Sequence, residues 1–250
     1  MMPASDPQPR LNAVTRAIGE NRKAVGFHMT FPSVPFIEIL GAEGFELIYL
    51  DCEHGSFEHR EIEESCRAAE GSGLTVIARV PRCDPVLISR YLDTGVQGIV
   101  VPHVSSAREA RAAVEACFYP PLGRRPFASA RVAGYRTDIR DFASYSAHAN
   151  ANVTLSIQIE DRQAVENLDE IAGIDGIDYF TIGKNDLNLD LGYGRRSDGF
   201  VPEVQDVIDS VERTLATRGR RLKDDVMILG RARDFILSGA RAFMARGSEA

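Results

Sequence analysis

The chain contains no tryptophan, only four cysteines and no long apolar run. Each lack excludes something. Cys52, Cys66, Cys83 and Cys117 form no CxxC pair, so the sequence encodes neither a zinc knot nor a disulfide framework, and the thiols read as reduced. The apolar runs AVGFHM, ELIYL and GIVVP end long before the roughly 20 residues that a bilayer-spanning helix needs. No membrane span is expected. Positive charge is also scarce: 29 Lys and Arg against 36 Asp and Glu give a formal net charge of -7. The clusters Arg124-Arg125 and Arg218 to Arg221 lack interleaved aromatics, and an acidic balance repels a phosphate backbone, so nucleic acid is not an expected partner. The N-terminal MMPASDPQPR holds Pro and Asp where a secretory signal carries an apolar core. Residues 1–10 therefore read as a frayed leader, and the cytoplasm is the expected compartment.

What is present is a regular alternation within 250 residues, 44% of them hydrophobic. Short β-branched runs occur at Ala24–Met29, Glu46–Asp51, Thr75–Val80, Gly98–Val101, Val153–Ile159, Asp178–Ile182, Val226–Leu229 and Ala242–Ala245. Most are apolar at consecutive positions, the mark of parallel strands covered on both faces. Helix signals lie between them. Asp84-Pro85 sets a cap before a proline at the first helical position, Ser106 with Glu109 makes a capping box, and Asp161 caps a segment that Gly173 ends. Eight such units predict a single α/β domain over residues 1–250, a (β/α)8 TIM barrel. The alternative is a doubly wound open sheet, weakened by the absence of a glycine-rich dinucleotide fingerprint after the first strand. The segment Tyr119 to Arg136 is the longest without a regular pattern, and a barrel could carry it as an elaborated loop near its active face.

A barrel of this kind does its chemistry where strands end. The second run ends in Asp51, Cys52, Glu53 and His54, the third carries Arg79, the fifth ends in Gln158 and Glu160, and the sixth leads into Gly183, Lys184, Asn185 and Asp186. Burying unpaired charges costs several kcal/mol per ion, so this convergence calls for mutual pairing or for a ligand. Glu160 and Asp186 suit a hard divalent cation; the alternative is that Glu160 pairs with an arginine and Asp186 caps a helix. His54 is the best general-base candidate. His28 and His103 are placed to line the same cavity or to pack in loops, while His59 and His148 read as exposed. Arg79 can grip a carboxylate or stabilise a developing enolate, or else form a structural ion pair with Glu53 or Glu160. By position alone Asp93 reads as a surface residue.

The blocks DCEHGSFE, IARVP, YLDTGVQGIVVPHVSSAREA, YPPLGRR, VAGY, QIEDRQAVENLDEI and IGKNDLNLDLGY occur in an order that resembles the HpcH/HpaI aldolases. These are class II, metal-dependent pyruvate aldolases. The resemblance runs from about Gly26 to the C-terminus and implies a TIM barrel, a homo-oligomer (a hexamer or smaller), and Mg2+, Mn2+ or Co2+ held by Glu160 and Asp186. It further implies a 2-oxo acid and an aldehyde as partners, substrate contacts from Gln158, Gly183, Lys184 and Asn185, His54 as proton acceptor, and Arg79 as enolate stabiliser. Asp93 would raise the basicity of His54, Asp51 would orient it, and Glu53 would hydrogen-bond metal-bound water.

Departures from the family pattern are Lys184 in place of proline, Cys52 and Ser56 beside the histidine motif, and Pro126 in place of glycine. Lys184 would bind a second anionic group on the substrate or point to solvent, and Arg131 and Arg136 would favour an anionic acceptor. The family's Gly-Ser-Asp motif and final helix shrink here to Arg246-Gly247-Ser248-Glu249-Ala250, which predicts a barrel without its usual C-terminal helix. Two other functions compete with aldol cleavage: a citrate-synthase-like condensation of oxaloacetate with an acyl-CoA, and a non-catalytic ligand-binding barrel. The set of His54, Arg79, Glu160 and Asp186 argues against the last.

Overall fold

Strands that are apolar at consecutive positions need cover on both faces, and the chain supplies it. In the computed structural model, which describes residues 11–136, 139–194 and 199–247, seven strands form one parallel sheet. They are β1 (Ala24–Met29), β2 (Leu47–Asp51), β3 (Thr75–Arg79), β4 (Gly98–Val101), β5 (Thr154–Ile159), β6 (Tyr179–Ile182) and β7 (Met227–Arg231). Their order is β6-β5-β4-β3-β2-β1-β7. A single bridge from Phe180 to Leu222 ties the β6 edge to the segment that leads into β7. Among the described residues no helix is long and apolar enough to cross a membrane.

Alternate side chains on each strand enter separate cores. On β2, Ile48 and Leu50 join the large cluster beneath the helices, with Ile62, Ile88, Leu92 and Ile171. Leu47 and Tyr49 point the other way, into a smaller cluster with Ile77, Val100, Tyr179 and Met227. Val14 and Ala17 of the helix Ala13–Gly19 close that inner core from the side where the strands begin. Following the inner parity upward replaces apolar residues with polar ones: Leu47 and Tyr49 lead to Asp51, Ile77 to Arg79, and Thr154 and Ser156 to Gln158 and Glu160. A polar layer thus forms the top rung of the inner face.

The helix starts match the sequence signals. Asp84 accepts from the amides of Val86 and Leu87, Ser106 and Glu109 bond reciprocally, and Asp161 accepts from Ala164.

Two expectations fail. No eighth strand occurs among the described residues: Ala242–Ala245 lies inside the helix Ala232–Gly247, so the last described segment is helical and the barrel is not completed as eight β/α units. A four-residue apolar run fits either state by pattern. With Ala, Arg, Leu and Met dominating the segment and Phe235 and Phe243 left exposed, helix propensity decides the outcome where no sheet edge claims the run. The second failure concerns His59 and His148, which are half-buried; His59 packs against the Tyr91 ring.

One carboxylate at the opposite end of the sheet carries a pH dependence. Burial pushes Asp178, just before β6, up to about 6, against the amide of Leu155 that donates to it. The folded state therefore holds this proton more tightly than the unfolded chain, and the associated stability is present at acid pH and lost as pH rises from the ordinary carboxylate range through 6. Asp178→Asn is expected to flatten that slope and to stabilise the protein at pH 8 by about 2 kcal/mol. Urea titrations at pH 4.5 and pH 8 check it; equal losses at both pH values would refute it.

Candidate active site

The register of β2 and β3 sets Asp51 beside Arg79. Their side chains share the inner face, and the guanidinium grips Asp51 through Nε at 3.1 Å and Nη2 at 2.6 Å. Nη1 of the same arginine lies 3.0 Å from Glu53 Oε2. Asp51 also accepts the amides of Glu53 and His54, at 3.3 and 3.1 Å, and faces His28 Nε2 at 3.4 Å. Burial alone would raise the Asp51 carboxyl, but the His28 and Arg79 contacts and the arginine charge outweigh it, and the group is held far below the usual carboxylate range. Asp51 stays ionised.

A second cluster adjoins the first. Glu160, one residue past β5 and 2% exposed, receives hydrogen bonds from the Gln158 amide and, at 2.7 Å, from the backbone N–H of His103. The His103 ring then spans two carboxylates, with Nδ1 3.2 Å from Glu160 Oε1 and Nε2 2.9 Å from Glu53 Oε1. Burial raises the Glu160 pKa even though these bonds act to lower it. Gly183 closes the cradle: a Cβ there would collide with the Glu160 carboxylate, so the position requires glycine.

The local charge does not balance. Asp51, Glu53 and Glu160 are nearly buried, and Arg79 is the one guanidinium among them. Glu53 Oε2 is buried and makes no hydrogen bond, although Arg79 attracts it. Three acidic side chains thus share one guanidinium, and burying them together is a cost that a divalent cation would offset. Donor atoms of Glu53, His103 and Glu160 lie within 4.8 Å of one another, and oxygen donors with one nitrogen suit Mn2+, Co2+ or Mg2+. The residues fit a metal.

Comparison with known proteins agrees with this chemistry. The family model HpcH/HpaI aldolase/citrate lyase matches residues 26–250. The chain belongs to that family. It is 33% identical to a hydroxypyruvate/pyruvate aldolase of Roseobacter denitrificans, over 84% of this chain and 80% of that protein. It is 31% identical to a 5-keto-4-deoxy-D-glucarate aldolase of Shigella dysenteriae serotype 1, over 95% of this chain and 91% of that protein. An HpcH/HpaI aldolase structure from Desulfitobacterium hafniense matches with a TM-score of 0.78 at 25% identity, covering 94% of each chain. The protein is an aldolase.

Most of the expected residues of this aldolase meet at the upper rung, and a few do not. His54 stands beside Glu53, Nε2 3.8 Å from Oε2, with its side chain 62% exposed. Asp51 positions it through the backbone amide and not through the ring. Gly183, Lys184, Asn185 and Asp186 open the helix Lys184–Asp190, where Asp186 is half-buried and has no hydrogen-bond or ion-pair partner among the described residues. It lies outside the group of three donors formed by Glu53, His103 and Glu160. Lys184 turns to Glu212 at 3.2 Å.

Within the chain, Asp93 stands apart from these residues. It ends the helix Pro85–Asp93, which runs back from the top of β3 toward the start of β4, so within the chain it sits at the opposite end from His54. There it pairs with the buried Arg125 at 3.1 Å, whose guanidinium lies over the Tyr119 ring. Arg131 belongs to that end too, donating to the Thr94 carbonyl at 3.0 Å and pairing with Glu70. His28 and His103 entered the sequence reading only as alternatives; their places directly at the ends of β1 and β4 were the available signal.

Proposed function

We propose that the aldolase cleaves 4-hydroxy-2-oxo acids to pyruvate and an aldehyde, and joins the two in reverse, with a divalent cation held by Glu160 and Asp186. The gathering of Asp51, Glu53 and Glu160, all nearly buried, around the single guanidinium of Arg79 carries this reading. Asp186 supports it as a half-buried carboxylate left without a partner among the described residues. The cation would polarise the 2-oxo group. Arg79, after binding Asp51 and Glu53, retains N–H donors for the oxygen on which enolate charge develops. Its own charge is fixed there by two carboxylates. His54, anchored by its amide while its ring stays open to solvent, takes the proton from the C4 hydroxyl as the C3–C4 bond breaks, and the aldehyde departs. Gln158 and the turn Gly183–Asn185 bound the space beside Glu160 and would fix the 2-oxo acid.

The test is release of pyruvate from a panel of 4-hydroxy-2-oxo acids. Activity should vanish in EDTA and return with Mn2+, Co2+ or Mg2+. Full activity in EDTA would overturn the metal reading, and release of citrate from oxaloacetate with an acyl-CoA would assign the site to condensation instead.

A further inference from the structure

His103 adopts a left-handed backbone, φ 54, which is costly for a residue bearing a side chain. Such a conformation persists where the surroundings enforce it, and at functional sites it is a reason to ask what it achieves. Here it turns two groups of one residue onto the same carboxylate. The amide supplies the hydrogen bond to Glu160 Oε1 at 2.7 Å, while ring Nδ1 stops 3.2 Å from that oxygen. Adjacent donors around an octahedral ion, each about 2.1 Å from it, stand about 3 Å apart. The Nδ1 and Oε1 pair has that spacing. On the far side of the ring, Nε2 is 2.9 Å from Glu53 Oε1, so a proton on Nε2 leaves the Nδ1 lone pair facing Glu160. A carboxylate bonded to the outer nitrogen is how ligating histidines are commonly oriented. Glu53 is suited to that task, being 8% exposed and carrying an oxygen with no hydrogen bond of its own.

We propose that His103 Nδ1 is a ligand of the divalent cation beside Glu160, with Glu53 holding its tautomer, and that this nitrogen biases the site toward Co2+ and Mn2+ over Mg2+. The inference rests on the metal-dependent reading of the site. An imidazole in place of a water strengthens binding of later transition ions, whereas Mg2+ gains little from exchanging an oxygen for a nitrogen.

The deciding measurement is pulsed electron paramagnetic resonance of Mn2+ bound to the full-length protein, alongside competition titrations with Co2+ and Mg2+. The wild type should show a directly bound nitrogen, lost in His103→Asn, a substitution chosen because asparagine tolerates the left-handed backbone. Co2+ affinity should fall about tenfold or more in that variant while Mg2+ affinity changes far less. Glu53→Gln should weaken the nitrogen signal without abolishing Mn2+ binding. Absence of nitrogen coupling in the wild type overturns the proposal, as does an equal loss for Co2+ and Mg2+ in His103→Asn. Should His103→Asn fail to fold, the wild-type spectrum alone decides. Glu160→Gln separates the two levels: unchanged Mn2+ binding there would sink the metal reading itself, whereas abolished binding with no nitrogen in the wild type would sink only the role of His103.

Discussion

Glu160→Gln is expected to lose measurable Mn2+ binding and about a thousandfold or more in turnover, since it removes a charged ligand whose ion supplies several kcal/mol of transition-state stabilisation. The fold should survive. Glutamine keeps the shape and can still accept the His103 amide, while the carboxylate it replaces is one that burial pushes toward protonation. A group whose pKa is raised on folding lends stability at acid pH and withdraws it as pH rises, so the metal-free variant should be at least as stable as the metal-free wild type at pH 8. Calorimetry without metal, together with the pyruvate assay, reads both effects. A variant that is inactive and also unfolded would mean that Glu160 serves the core and not the cation.

Arg79 presents the opposite balance. Its removal strands Asp51 and Glu53, both nearly buried, without the cation that holds them, and breaking a buried pair in this way costs about 3–5 kcal/mol. Arg79→Ala should therefore lower the melting temperature strongly and abolish aldol cleavage. Arg79→Lys separates the two roles. It restores the charge but not the two-pronged grip on Asp51, so most of the stability should return while turnover stays down by about a hundredfold. Recovery of full activity with lysine would show that the arginine acts only as a point charge.

How far the sequence could be read depended on how local each signal was. Strands β1 and β4 begin and end where the apolar runs do, because burial on both faces leaves no other use for such runs. Asp51, Arg79, Gln158 and Glu160 were legible because two-residue parity carries them to the inner face at the strand ends. The intrachain partner of Asp93 was not, since it is Arg125, 32 residues later in the chain. For His103 the sequence offered only its place after the fourth apolar run, where lining the cavity and packing in a loop stayed open. Its backbone angle, which aims the ring, is a property of the turn after β4 and has no counterpart in residue type. The run Ala242–Ala245 shows the remaining limit: four apolar residues specify burial only when a neighbour is there to bury them.

The burial of Asp178 just before β6, at the opposite end of the sheet from the polar rung, means that the molecule separates durability from reactivity along its axis. Exchanges around Asp178 should retune acid response and leave the reacting layer alone. A protein engineer could harden one rim while reshaping acceptor preference at the other, treating them as independent dials.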